Sequence, residues 1–300
     1  MILGGIGTQI FLPIIPGLAE GMMLLMIASG LTLTFGTMHV LNFAHGAFFM
    51  VGAFVAYSAS VSWRTGSSVI VPLLAAIAIC CAVGFIAERT VYRRLYHFSH
   101  LQALLGTFAL FLVMASIAQQ VWGVYPLGIA IPRSLSGHLS VFGVGILWYQ
   151  IFTIAASALV MIGLQLWLRN TRVGLQVRAV AANRDMASAL GIKAERVFWI
   201  MFTVGCGLAG LAGALIAPLV SITTDLGSDY IVLAFAVVLI GGLGSLGGAV
   251  IASLLLGFVD SFASVFLPQV APYAVFLTLI LFLTLRPFGL FGSAAARIEL

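Results

Sequence analysis

The sequence predicts an all-α, polytopic helical membrane protein: one transmembrane domain over residues 1–300, with about eight membrane-crossing helices. Three observations predict it. Mean hydropathy is +1.21, with 62% hydrophobic residues. Only 7% of residues are charged, where a soluble domain carries roughly a quarter. Several continuous apolar runs reach the ~20 residues a helix needs to span the hydrocarbon core. A transmembrane barrel would show alternating segments of about ten residues instead. Soluble globular classes are excluded.

Residues 14–35 read as the first span, entered past Pro13 and Pro16 and carrying Glu20 near its start. The segment 36–46, GTMHVLNFAHG, interrupts it with Asn and two His, and 47–61 is a short second span. A turn at 63–68 leads to the third span, 69–87; a basic loop to His100 leads to the fourth, 101–122. Residues 123–147 hold Pro126, Pro132, Arg133 and several Gly without a sustained hydrophobic period, which predicts an ordered loop or interfacial segment. The fifth span is 148–168, with Trp148 and Tyr149 suited to an interface belt. A sixth, 198–220, follows the polar stretch 169–198. Asp225 and Asp229 then mark a short acidic loop. The glycine-rich GGLGSLGG, 241–248, joins a short element at 230–241 to the apolar run 248–266, and a last span covers 271–285. The two interruptions, near 36–46 and 241–248, are read as helix breaks. The uncharged first thirteen residues lack the basic region of a cleavable signal.

Net charge is +5, and its distribution matters more than its size. Eleven of the thirteen basic residues fall in three segments: Arg89, Arg93 and Arg94; six between 169 and 198; and Arg286 with Arg297 in the tail. Clustering of this kind places those segments in the cytoplasm and predicts no nucleic-acid partner. By parity the N-terminus lies outside, and an even number of crossings separates 198 from Arg286, so 230–241 must cross as a short element. Cys80, Cys81 and Cys206 all lie in apolar runs and read as small buried residues.

Polar residues inside membrane sequence are the candidate sites. Asn42 and His45, followed by Gly46, either line a translocation path or clamp neighbouring helices by satisfying backbone groups. Neither a metal site nor a catalytic one can be assembled from them, since His39, His97, His100 and His138 complete no ligand set. Gly241, Gly242 and Gly244, with Ser245, Gly247 and Gly248, read as a helix break that exposes backbone to a pathway, or as close helix packing. They are no phosphate loop, because Lys193 is the only lysine. Gly205, Ala209 and Gly213 form a small-residue groove for a neighbouring helix. The isolated acids Glu20 and Asp260 remain; Asp260 would hold an ammonium, couple to protons or bond a neighbour.

The polar stretch 169–198 must lie in water. Within it Asn183 is a good N-cap, Asp185 suits a first turn, and Gly191 with Ile192 reads as a stop. A short helix from Arg184 to Leu190 puts Met186, Ala189 and Leu190 on one apolar side, which either a partner protein or the bilayer surface covers.

Three segments resemble the high-affinity branched-chain amino acid permease family, the membrane subunits of bacterial ATP-binding-cassette importers: GLTLTFGTMHVLNFAHGAFFMVGAF (30–54), TRVGLQVRAVAANRDMASALGIKAERV (171–197) and VVLIGGLGSLGGAVIASLLLG (237–257). RPFGLFG (286–292) resembles the family's usual ending. The resemblance implies a multi-pass permease of the bacterial inner membrane, with no cofactor and no covalent chemistry of its own. It implies a second permease subunit, cytoplasmic ATPases that hydrolyse ATP, a periplasmic solute-binding protein and surrounding membrane lipid as partners. It also implies that 183–192 is the cytoplasmic coupling element gripped by the ATPase. Some members carry Glu or Asp where this chain has Ala47, so any role of that acid is absent here. Sister importers for urea, short amides and other small organic solutes share these motifs. An ion-coupled secondary transporter is the other class expected.

Overall fold

The computed structural model of the chain describes residues 11–38, 41–62, 68–95, 98–141 and 144–291. Among the described residues seven helices are long and apolar enough to cross a membrane. They are α1 (Ile14–Met38), α2 (Ala44–Ser62), α3 (Ile70–Ala87), α4 (His100–Trp122), α5 (Trp148–Asn170), α8 (Ala194–Ile216) and α10 (Leu246–Phe266). α3 runs on through a π-helical turn, Glu88–Tyr92, and a last turn, Arg93–Leu95. Two shorter apolar helices, α9 (Leu226–Gly241) and α11 (Ala271–Leu285), lie where the short element at 230–241 and the last span at 271–285 are expected.

The polar stretch after α5 folds as two helices, α6 (Arg172–Ala182) and α7 (Arg184–Ala189), before α8 begins at Ala194 rather than at 198. Their N-caps are Thr171 and Asn183, whose side chains accept from Gly174 N and Met186 N. Between α4 and α5 a two-stranded antiparallel hairpin forms, β1 (His138–Val141) with β2 (Val144–Leu147), in register His138↔Leu147. Leu127 pairs with Ile222, which ties this segment to the α8–α9 connection.

α1, α2 and α8 are mostly buried, whereas α3, α4 and α5 are mostly exposed. Residue size explains the order. Lipid tails are as apolar as leucine, so helices associate in a membrane by close packing of small residues. Gly30 meets Gly205, Gly52 meets Gly210, Gly213 meets Phe49 and Gly84 meets Cys206, so the small-residue groove of α8 receives three neighbours. Gly17 and Gly21 pack on α10 around Gly257 in the same way. Cys80 and Cys206 are buried and the three cysteines are free, in agreement with their reading as packing residues. Large side chains such as Leu74, Ile86, Leu105 and Leu159 point outward. α3 and α4 splay apart, and a groove of about 550 Å³ between α2, α3 and α4 is lined by Val51, Val55, Ile79, Met114 and Trp122.

Candidate functional site

α1 remains helical to Met38, so the interruption expected at 36–46 narrows to the residues before Ala44; of these, His39 and Val40 lie outside the described residues. His45 Nε2 bonds the carbonyl of Ile27 at 3.1 Å. Ile27 lies eleven residues before Met38, which is ~16 Å of helix at 1.5 Å per residue. The chain therefore turns back along α1, and α2 starts about halfway through the bundle. Thr107 of α4 secures the connection: its hydroxyl donates to Leu41 O at 3.3 Å and accepts from Phe43 N at 3.2 Å. From α3, Tyr92 donates to Asn42 Oδ1 at 2.5 Å. Gly46 rests on the backbone of Gly227, and the Phe43 ring lies 4.9 Å from that of Phe235.

Asn42 and His45 thus both clamp neighbouring helices, yet each keeps one buried polar atom without a partner among the described residues: Asn42 Nδ2 and His45 Nδ1. With Nε2 donating to the Ile27 carbonyl, Nδ1 is the lone-pair nitrogen and accepts. A donor and an acceptor, buried in low dielectric, are left to a water or to a polar group of a solute.

The other expected path residues lie elsewhere. Gly241, Gly242 and Gly244 sit at the end of the bundle that carries the basic segments, the basic end. They form a reverse turn between α9 and α10: Gly242 has φ 98°, Gly244 φ 81°, and Ser245 caps α10 by accepting from Gly248 N. The backbones of Gly241 and Gly248 touch, so the break reading and the packing reading describe one turn. Gly244 also meets Gly36 of α1. The tail caps this turn, with Leu290 N donating to Ile240 O at 2.8 Å and Phe291 N to Gly241 O at 3.1 Å.

Asp260 is near neither group, and it is not isolated. α1 and α10 bring it beside Glu20, close to Tyr230. The separation of 240 residues hid this pair. Sequence reading also missed Tyr92; its only signal is a tyrosine within the basic loop, between Arg89 and the pair Arg93–Arg94.

The 183–192 element has the expected form. Asn183 Oδ1 accepts from Met186 N at 2.8 Å. Ile192 N donates to Ala187 O and Gly191 N to Ser188 O, both at 3.0 Å, with Gly191 at φ 85°, an arrangement that closes the carbonyl end of α7. Ala187 faces inward while Met186 is 61% and Leu190 77% exposed, beside an exposed Ala189. Arg184 lies 5.2 Å over the Phe198 ring, which attaches α7 to α8. Replacing Asn183 by alanine removes one cap, worth ~1 kcal/mol. Amide exchange across 184–190 then quickens about fivefold while α8 is unchanged, as hydrogen–deuterium exchange can measure.

Among the described residues no cluster of His, Cys, Asp and Glu has the makings of a metal site. The family model described as branched-chain amino acid transport system / permease component matches residues 14–285. The chain is 32% identical to the high-affinity branched-chain amino acid transport system permease protein BraD of Pseudomonas aeruginosa, covering 93% of this chain and 94% of that one. It is 29% identical to LivH of Escherichia coli, the permease protein of the corresponding system, covering 92% and 93%. The ribose import permease protein RbsC of Escherichia coli is 27% identical, with 81% and 72% covered. No solved structure matches. With the apolar spans, the central break and the glycine turn all inside the matched region, the chain belongs to the branched-chain amino acid transport system permease component family.

Proposed function

We propose that the protein is the membrane permease subunit of an ATP-driven importer, and that it moves branched-chain or other hydrophobic amino acids delivered by a periplasmic binding protein. The likeness to BraD over nearly the full length of both chains carries this reading. Under it the basic end faces the cytoplasm of a bacterium, as the clustering of arginines there favours. Met186, Ala189 and Leu190, flanked by Arg184, Asp185, Gly191 and Ile192, form the surface that docks on the ATPase; an exposed apolar edge on a two-turn helix supports a protein partner. A second permease subunit and membrane lipid cover the outward faces of α3, α4 and α5.

Transport follows from bistable packing. Closure of the ATPases pulls on α7, α5 and α8 tilt, and the solute passes the Asn42–His45–Gly46 break, whose unpartnered donor and acceptor take its polar groups in turn. Gly241, Gly242 and Gly244 shape the cytoplasmic exit, and Asp260 with Glu20 the opposite half. Reconstitution tests the class: leucine uptake into proteoliposomes should require ATP, the ATPase subunits and the binding protein together. Uptake that ignores ATP and collapses with a proton gradient would place the protein among ion-coupled transporters. Uptake of urea or short amides in preference to leucine would overturn the substrate.

A further inference from the structure

We propose that Tyr92 is a positioning residue that transmits movement of the docking end to the central break. The inference rests on the reading that 184–192 docks on an ATPase. Three tethers hold the break: Ile27 O of α1 on His45, Thr107 of α4 on Leu41 and Phe43, and Tyr92 of α3 on Asn42. The tether from α3 sits on a residue that also touches the half of α8 nearer α7, since the Tyr92 ring lies 4.2 Å from that of Phe202. Tyr92 is 1% exposed and closes the π-helical turn Glu88–Tyr92, where the winding of α3 is locally wider. Single π-turns of this kind interrupt the regular hydrogen-bond ladder and are frequent at functional sites.

The start of α8 is in turn bound to α7. Arg184 stacks over Phe198, and Ile192 closes back onto Ala187. A displacement of α7 therefore reaches Phe202, then Tyr92, then Asn42, through packed rings and one hydrogen bond. The neighbouring ion pair, Arg93 to Glu195 at 2.9 Å, joins the same two elements, but its side chains are 60% and 64% exposed. Solvent screens such a pair, so the ring contact and the buried bond carry the linkage. Freed from Tyr92, the Asn42 amide loses its only side-chain partner among the described residues, and its orientation is no longer set by the ring that packs on Phe202.

Initial-rate uptake in the assembled importer tests this. Tyr92→Phe removes one oxygen and keeps the ring against Phe202. Maximal uptake should fall about tenfold, the rate equivalent of one buried hydrogen bond, with KM for the solute–binding-protein complex within about twofold. ATP hydrolysed per solute moved should rise, a change that mere loss of folded protein would not produce. Asn42→Ala, which also removes the amide nitrogen offered to the solute, should fall at least as far, and the double variant should be no worse than Asn42→Ala alone. Arg93→Ala should leave uptake within about twofold of wild type. Wild-type uptake and stoichiometry in Tyr92→Phe, or losses that multiply in the double variant, overturn the proposal. If Tyr92→Phe lowers the amount of folded complex, Phe202→Leu tests the linkage from the α8 side, with the same fall in uptake and rise in ATP hydrolysed per solute expected. A Gly191→Glu arm separates the two readings: full uptake there removes the docking reading, whereas lost uptake with a silent Tyr92→Phe removes only the linkage.

Discussion

Replacing Gly191 with glutamate should abolish solute uptake and leave the amount of membrane-inserted protein unchanged. Two physical effects combine. Gly191 has φ 85°, a left-handed conformation that costs an L-residue about 1–2 kcal/mol. The space beside it is open, with nothing within 4 Å of an added Cβ, so the side chain fits without disturbing α5 or α8. What changes is the surface: a carboxylate now stands next to Leu190, which is 77% exposed, at the edge proposed to dock on the ATPase. Burying an unpaired charge there costs far more than the backbone strain. Gly191→Ala divides the two effects, because it carries the strain without the charge; uptake should fall several-fold and no further. Co-purification of the ATPase subunits, run beside uptake, completes the measurement. If Gly191→Glu transports at the wild-type rate with its ATPases bound, α7 is not the docking element.

Hydropathy and caps carried most of the fold, because both are local. Apolar runs gave the long spans, and Asn183, Gly191 and the Met186–Leu190 edge lie where capping chemistry put them. What escaped was decided by contacts between distant residues. Glu20 and Asp260 looked isolated since nothing in either neighbourhood shows that Gly17, Gly21 and Gly257 let α1 and α10 meet. The five glycines at 241–248 signalled departure from a regular helix, but only the contact of Gly241 with Gly248 shows that the departure is a reverse turn. The β1–β2 hairpin is four residues a side, too short for alternation to rise above a glycine-bearing loop. At the break, Asn42 and His45 were recognisable as costly polar residues, while their partners, Tyr92 fifty residues on and Ile27 eighteen back, depend on how α2 re-enters the bundle. The backbone carbonyl of Ile27 leaves no trace in sequence at all.

The same substitution at two glycines, 46 and 163, should have opposite outcomes. An alanine Cβ at Gly46 falls 2.2 Å from the carbonyl oxygen of Gly227 and 2.7 Å from Ile231 Cβ, and the first of these is backbone that cannot swing away. α2 and α9 must separate by about an ångström. The contact lies one residue from His45, so separation also strains the bond to Ile27 O, and the Asn42 tether with it. Overpacking of a well-packed core costs ~1–3 kcal/mol, and a stretched buried hydrogen bond adds ~1–3 more. Gly46→Ala should therefore lower the midpoint of thermal unfolding in detergent by many degrees and reduce folded protein in the membrane. Gly163 of α5 has nothing within 4 Å of an added Cβ. There alanine removes a poor helix former at no steric cost, and the midpoint should hold or rise, by the equivalent of up to ~1 kcal/mol. The paired measurement isolates packing from propensity, since the chemical change is identical. Equal loss of stability at both positions would mean that α2 does not meet α9 through Gly46, and the central break would have to be placed elsewhere in the bundle.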